Sequence, residues 1–202
     1  MSRIIVGLVG RKRVGKGTIA AQLVEKHGYT ELAFADAVRG VMYRADPFVS
    51  VDPPVRWTEA LDTLGYEEAK TVYPEVRRLL QGFGHDGIRT LDPEFWVNQL
   101  VKSVEAVPGD GPIVISDVRY RNELDTIARL NGYTAHVMRP IYDERVLFRE
   151  EHRSEGGLDT AVTDYTVWND ASISHLKTRA DLLHAKLENA QRIGKTPIRH
   201  AQ

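Results

Sequence analysis

Residues 4–28 constrain the fold more than any other stretch. "IIVGLVG" is short, branched and apolar and ends in glycine, as a strand covered on both faces does. "GRKRVGKGT" (Gly10–Thr18) follows at once. "KGTIAAQLVEKHG" then sets Ile19, Ala20, Leu23 and Val24 at helical spacing ahead of Gly28, a glycine stop. In an α/β sheet, a loop between a strand and the next helix lies where ligands bind. Gly10 and Gly15 permit a tight turn and close approach of backbone to an anion. The N–H groups of Arg13, Val14, Gly15, Lys16, Gly17 and Thr18 would face phosphate oxygens, reinforced by the helix N-terminus. Lys16 would reach the β- and γ-phosphates, and Thr18 offers a hydroxyl to phosphate or to a Mg²⁺ shell. Gly17 departs from the strict G-x-x-x-x-G-K-[ST] pattern. The competing reading is a glycine- and lysine-rich surface turn.

The rest of the chain repeats the alternation. "YTELAFAD", "IVISDVR", "YTAHVMRP" and "DYTVWND" read as further strands. "RNELDTIARLNG" and "ISHLKTRADLLHAKLENA" read as helices. The expected architecture is α/β: a parallel sheet of about five strands with helices on both faces, three layers deep. Three amphipathic segments, "VRWTEALDTLGYEEAK", "YPEVRRLLQGFGHDGI" and "DPEFWVNQLVKSVEAV", predict a helical insertion over about residues 53–107. "DPFVSVDPP" before them reads as a Pro-rich mobile loop. The charged run "YDERVLFREEHRSEGG" predicts a lid over about residues 140–160. Residues 1–187 are expected to form one domain, and 188–202 a flexible tail.

Composition narrows the function classes. A length of 202 residues suits one domain. A net charge of −1 gives no chain-wide attraction to a nucleic acid polymer or a membrane. The absence of cysteine excludes disulfides and thiolate metal sites. The seven histidines show no H-x-x-x-H or H-E-x-x-H spacing, against a zinc site. No apolar run is long enough to span a bilayer. A strand-like segment begins too early to leave room for a signal peptide. A cytoplasmic location is therefore expected, in the host cytoplasm if the chain is viral.

Four further constellations carry polar chemistry. In "RRLLQGFGHDGIR", Arg77 and Gln81 are i,i+4 and share a helix face. With Arg78 they could grip a nucleotide phosphate and read a base edge; the alternative is a solvated helix face. Trp96 in "DPEFWVNQL" could stack on a base or simply fill the core. Asp117 ends the apolar run "IVISDVRYRNEL", the place of a carboxylate that binds Mg²⁺ directly or through water. Arg119 and Glu123 follow it. Asp117 could instead cap the next helix. In "LAFADAVR", Asp36 could orient an acceptor oxygen and Arg39 hold an acceptor phosphate, or Asp36 could be a helix N-cap. In the expected lid, Arg149 and Arg153 could stabilise a moving phosphoryl group and the nucleotide that donates it; the alternative is a salt-bridged surface helix.

Taken together, "GRKRVGKGT", "FADAVR", "VRRLLQGFG", "FWV", "ISDVRYRNE", "HRSE" and "DYTVWNDAS" resemble the deoxynucleoside monophosphate kinases of tailed bacteriophages, over roughly residues 3–185. The resemblance implies a P-loop kinase fold and transfer of the ATP γ-phosphoryl group to a dNMP. It places Lys16, Gly17 and Thr18 at the ATP site. It places Arg77, Arg78, Gln81, Gly84, His85, Trp96, Asp117, Arg119 and Glu123 on the deoxynucleotide side. The family often has Asp at the position of Gly17 and Thr at that of His85. ATP and Mg²⁺, the latter held by Thr18 and Asp117, are the expected cofactors. The alternatives are a kinase of another metabolite, such as dephospho-coenzyme A, and a nucleotide-regulated interaction protein without catalysis. The accepted bases and the oligomeric state, a homodimer included, stay open.

Overall fold

The computed structural model describes residues 3–140, 158 and 160–199. In chain order the elements begin with strand β1 (Ile5–Val9), helix α1 (Lys16–His27), strand β2 (Thr30–Leu32) and helix α2 (Ala35–Ala45). Strands β3 (Phe48–Val51) and β4 (Pro54–Arg56) follow, then helices α3 (Trp57–Leu64), α4 (Tyr66–Val72) and α5 (Pro74–Gln81). Next come a π-helical segment (Gly82–Ile88), the short turn α6 (Arg89–Leu91) and helix α7 (Phe95–Ala106). Strand β5 (Ile113–Val118), helix α8 (Arg121–Arg129), strands β6 (Tyr133–Met138) and β7 (Tyr165–Trp168) and helix α9 (Ile173–Arg192) complete the described chain. Contacts divide it into two compact units, Met1–Ala33 with Lys102–Gln202, and Phe34–Val101.

The first unit is built on a five-stranded sheet of order β2-β5-β1-β6-β7, and every pairing in it is parallel. All five residues of β1 are buried, as a central strand with both faces covered must be. One face packs on α1 and α9: Val6, Leu8, Val114, Ala135 and Val137 meet Ile19, Leu23, Leu176, Ala180, Leu183 and Leu187. On the other face α8 lies so close to β1 that a Cβ on Gly7 would stand 2.9 Å from Ile127. The absent side chain at Gly7 is what lets that helix seat. Helices on both faces of a parallel sheet give the expected three layers.

The second unit has its own core, formed by Met42, Val49, Trp57, Ala60, Ala69 and Val76. Local structure departs from the sequence reading in four places, three of them in this unit and one at the end of β2 in the first. Residues 46–54, expected as a loop, supply most of the antiparallel hairpin β3–β4, which runs on into Arg56 at the expected start of the next helix. The segment expected as one helix over 55–70 breaks at Gly65, whose φ of 73° favours glycine. Strand β2 stops at Leu32, and the chain enters α2 at Ala35. The helix containing Arg77 loosens into the π-helical segment where Gly82, Gly84 and Gly87 follow in quick succession. In the first unit the expected flexible tail is also corrected. Helix α9 runs to Arg192, the Tyr133 hydroxyl donates to the Lys195 carbonyl (2.6 Å), and the Ile198 N–H donates to Asp164 (2.8 Å).

Candidate active site

The glycine-rich loop lies at the carboxyl end of the central strand β1, and its shape follows from two glycines. Gly10 has φ 139°, and a Cβ there would stand 2.4 Å from the Val137 carbonyl oxygen. Gly15 has φ 106°, and a Cβ there would stand 2.7 Å from Leu176 and 2.8 Å from the Asn169 amide nitrogen. No other residue type fits either point. Arg13 is also left-handed, at φ 63°. Successive turns of this kind make a concave nest of N–H groups that suits an anion. Gly17 differs from both: a Cβ would meet no atom within 4 Å. It sits in the first turn of α1, which begins at Lys16. The Lys16 ammonium donates to the carbonyls of Gly10 and of Arg11, the latter at 2.8 Å. The lysine is thus folded over its own loop. Thr18 follows half-buried.

Asp117 owes its place to an irregularity in β5. Gly7 pairs with Ile115 and Val9 with Val118, so Ser116 and Asp117 together stand opposite the single residue Leu8. A bulge of this kind re-aims a side chain and recurs beside active sites. Asp117 is half-buried. It lies within β5, ahead of the turn into α8, and Tyr120 occupies the N-cap position. The turn itself is organised by Glu123. That residue is 2% exposed. Its Oε2 accepts the backbone N–H groups of Arg119 (2.8 Å) and Tyr120 (3.2 Å). Glu123 therefore shapes the segment carrying Arg119, and one carboxylate satisfies two donors at the helix start.

The remaining predicted residues lie in the second unit. Asp36 and Arg39 are on α2 and form an ion pair at 3.0 Å. Phe34, not Asp36, occupies the N-cap position. The Arg39 guanidinium also lies 4.2 Å from the centroid of the Tyr66 ring. Arg77 and Gln81 share a face of α5, as their spacing requires. Arg78 turns elsewhere and makes a two-pronged pair with Glu75, its Nε donating at 2.6 Å. That guanidinium holds Glu75 below the usual carboxylate range. Trp96 is not placed for base stacking. It is 2% exposed, packs edge-on against Phe95 at 4.8 Å, and donates its indole N–H to the Gly84 carbonyl at 2.7 Å. The ring is core, and its polar edge pins the π-helical segment. At Gly84 the packing is close, since a Cβ would stand 3.3 Å from both methyls of Val38. His85 lies in the same segment, with its side chain outside the described residues. Arg149, Arg153 and the expected lid also lie outside them.

One residue at the loop was not singled out by sequence reasoning. Asn169, at the end of β7, donates its side-chain amide to the Val14 carbonyl at 2.9 Å. Its segment reads in the sequence as a strand, "DYTVWND", and as one of the motifs of the family resemblance, "DYTVWNDAS", neither of which assigns Asn169 a role.

A parallel sheet of this order, with a lysine-bearing glycine loop between its central strand and first helix, defines the P-loop kinase class of nucleotide-binding phosphotransferases. Within that class the chain belongs to the deoxynucleotide monophosphate kinase family, whose model matches residues 66–180. A protein of Acanthamoeba polyphaga mimivirus named "Putative deoxynucleotide monophosphate kinase" is 29% identical over 150 residues, 68% of this chain and 75% of its own. Among solved structures, TT1252 from Thermus thermophilus is similar with a TM-score of 0.50 and 20% identity, covering 93% of this chain and 99% of that one. Shikimate kinase from Aquifex aeolicus is similar with a TM-score of 0.45 and 12% identity, covering 93% and 99%.

Proposed function

We propose that the protein transfers the γ-phosphoryl group of ATP to a deoxynucleoside monophosphate, giving ADP and the deoxynucleoside diphosphate. The observation that carries this reading is the family match, which spans the Arg77/Gln81 helix and the Asp117–Glu123 turn. It favours a deoxynucleotide acceptor over dephospho-coenzyme A.

In this reading the nest from Arg13 to Thr18 holds the ATP phosphates, and Lys16 exchanges the Gly10 and Arg11 carbonyls for β- and γ-phosphate oxygens. An oxygen of the acceptor phosphate attacks the γ-phosphorus, the bond from that phosphorus to the β,γ-bridging oxygen breaks, and ADP leaves. The acceptor phosphate is largely ionised near neutral pH, with a second pKa of about 6, so no strong base is required. Catalysis is then mainly positioning and charge neutralisation. Arg77 and Gln81 present a donor-rich face to the acceptor nucleotide, with Arg39 and Asp36 contributing from α2. Arg78, held by Glu75, adds positive potential beside them. Arg119 is offered by the turn that Glu123 shapes. Arg149 and Arg153 are proposed as the lid cations.

Thr18 and Asp117 present a hydroxyl and a carboxylate, the hard oxygen donors that suit Mg²⁺. That ion is commonly held by one or two protein groups together with substrate phosphates. Bound there, it would neutralise charge on the β- and γ-phosphates.

The test is ADP release and dNDP formation across a panel of dNMPs, with Lys16→Ala in parallel. At least one dNMP is expected to be phosphorylated. Lys16→Ala should lower kcat by on the order of 100-fold or more while keeping the native melting transition. ATP binding without dNDP formation from any dNMP would sink the reading.

A further inference from the structure

We infer that Asn169 is a positioning residue for the phosphoryl donor. Its side-chain amide sets the plane of the Val14–Gly15 peptide so that the Gly15 N–H, rather than the Val14 carbonyl, faces the bound phosphates. The inference rests on reading the glycine-rich loop as the donor site.

Asn169 is itself firmly placed. Its backbone N–H donates to the Met138 carbonyl at 2.7 Å, which fixes it to the end of β6. Its Nδ2 then reaches across 155 residues of sequence to the Val14 carbonyl. That carbonyl lies between two left-handed residues, Arg13 at φ 63° and Gly15 at φ 106°. In such a stretch, with a glycine on one side, rotating the intervening peptide plane is sterically easy. The Val14–Gly15 bond is trans, since the cis peptide of the described chain is Asp52–Pro53. A trans peptide points its N–H opposite to its C=O. With the carbonyl drawn to Asn169, the Gly15 N–H is turned to the other side, the concave face formed by residues 13–18. The reversed plane would set a carbonyl oxygen against a phosphate oxygen.

Packing reinforces the bond. The α-carbon of Gly15 lies against the Asn169 amide and Leu176 so closely that no Cβ fits. The exit of the loop is thus gripped from the β7–α9 side, as its entrance is gripped at Gly10 by the Val137 carbonyl. Asparagine suits the task in a way aspartate does not. An ionised carboxylate has no donor for the Val14 oxygen and would bring negative charge towards the triphosphate.

The experiment measures binding of a non-hydrolysable ATP analogue with Mg²⁺ by calorimetry. It also measures KM for ATP and for dNMP, and thermal melts, in the full chain and in Asn169→Ala and Asn169→Asp. Asn169→Ala should weaken analogue binding and raise KM for ATP by about tenfold, with KM for dNMP essentially unchanged. Asn169→Asp should lose more at pH 8. Relative to wild type at the same pH, it should regain affinity as pH falls towards about 4, where a carboxyl of ordinary pKa becomes substantially protonated and donates again. The alanine variant should show no such recovery. A residue serving packing alone would lower the melting temperature without separating the two KM values and without a new pH dependence. Should Asn169→Ala not fold, the isosteric aspartate variant carries the comparison.

Analogue binding by Asn169→Ala equal to that of wild type overturns the inference, as does an Asn169→Asp profile that runs parallel to wild type. Because binding is read directly, the two readings fail separately. A wild-type protein that binds ATP but phosphorylates no dNMP defeats the proposed reaction and leaves the role of Asn169 intact. Turnover by wild type with undiminished ATP affinity in Asn169→Ala defeats the role of Asn169 alone.

Discussion

At the residue scale, Gly15 and Gly17 differ in a way that the letters alone do not show. Both belong to "GKG", yet Gly15 has φ 106° and two neighbours inside 3 Å of any added Cβ, whereas Gly17 has open space. Gly15→Ala should therefore destabilise the first unit by about 1–3 kcal/mol through backbone strain and collision, and should abolish binding of the ATP analogue. Gly17→Ala, in the first turn of α1, should leave stability unchanged or raise it by up to about 1 kcal/mol. Urea titrations of the two variants decide between these outcomes, and equal losses would contradict this account of the loop. The loop was legible in the sequence because its determinants are local: strand, glycines, lysine and helix follow within 25 residues. Asn169 was not legible, because its bond joins positions that only the folded sheet brings together.

At the scale of elements, the segments that sequence periodicity placed well are those whose apolar pattern is also their packing. Strands β1, β5 and β6 and helices α1, α8 and α9 are of this kind. The π-helical segment was not readable, because its cause is partly tertiary: the Trp96 indole pins the Gly84 carbonyl, and Val38 packs closely against Gly84. Trp96→Phe keeps an aromatic ring but removes the donor and part of the buried bulk. It should cost about 2–4 kcal/mol of stability, the lost hydrogen bond and the cavity together. Under the proposed function, it should also raise KM for dNMP several-fold with little change for ATP, because the pinned segment continues directly from Gln81. Steady-state kinetics with each substrate varied in turn would show this, and a matching rise in both KM values would not fit. The β5–α8 turn has an analogous anchor in Glu123. Glu123→Ala leaves two half-buried backbone donors without that carboxylate and should cost about 1–3 kcal/mol. Glu123→Gln retains an acceptor and should cost less. A chemical-denaturation series of the three proteins gives the order directly.

At the scale of the molecule, the first unit is assembled from chain segments far apart in sequence, since its sheet pairs β1 with β5 and β6. A polar clasp far from the loop joins its first and last helices. Asp181 on α9 accepts from Gln22 (3.0 Å), Lys26 (2.6 Å) and His27 (2.8 Å) of α1. His27 stacks on His184 at 3.9 Å between ring centroids. His184 in turn meets Tyr29 at 3.2 Å and Glu188 at 3.5 Å. The bonds from Gln22, Lys26 and His27 hold the Asp181 carboxyl far below the usual carboxylate range. Burial, and then the neighbouring His27, push His184 below the ordinary imidazole value. Both shifts act in the same direction on stability. The unfolded chain binds each proton more tightly than the folded one, so each group stabilises the fold above its unfolded pKa and loses that contribution as pH falls. For His184 the loss should begin below about pH 6.5, and for Asp181 below about pH 4. The urea midpoint should therefore hold steady near pH 8, fall once on the way to pH 5 and fall again below pH 4. His184→Gln should remove the first step and leave the second, and Asp181→Asn should do the reverse. A wild-type midpoint that stays flat from pH 8 to pH 5 would show that the α1–α9 clasp does not depend on a neutral His184.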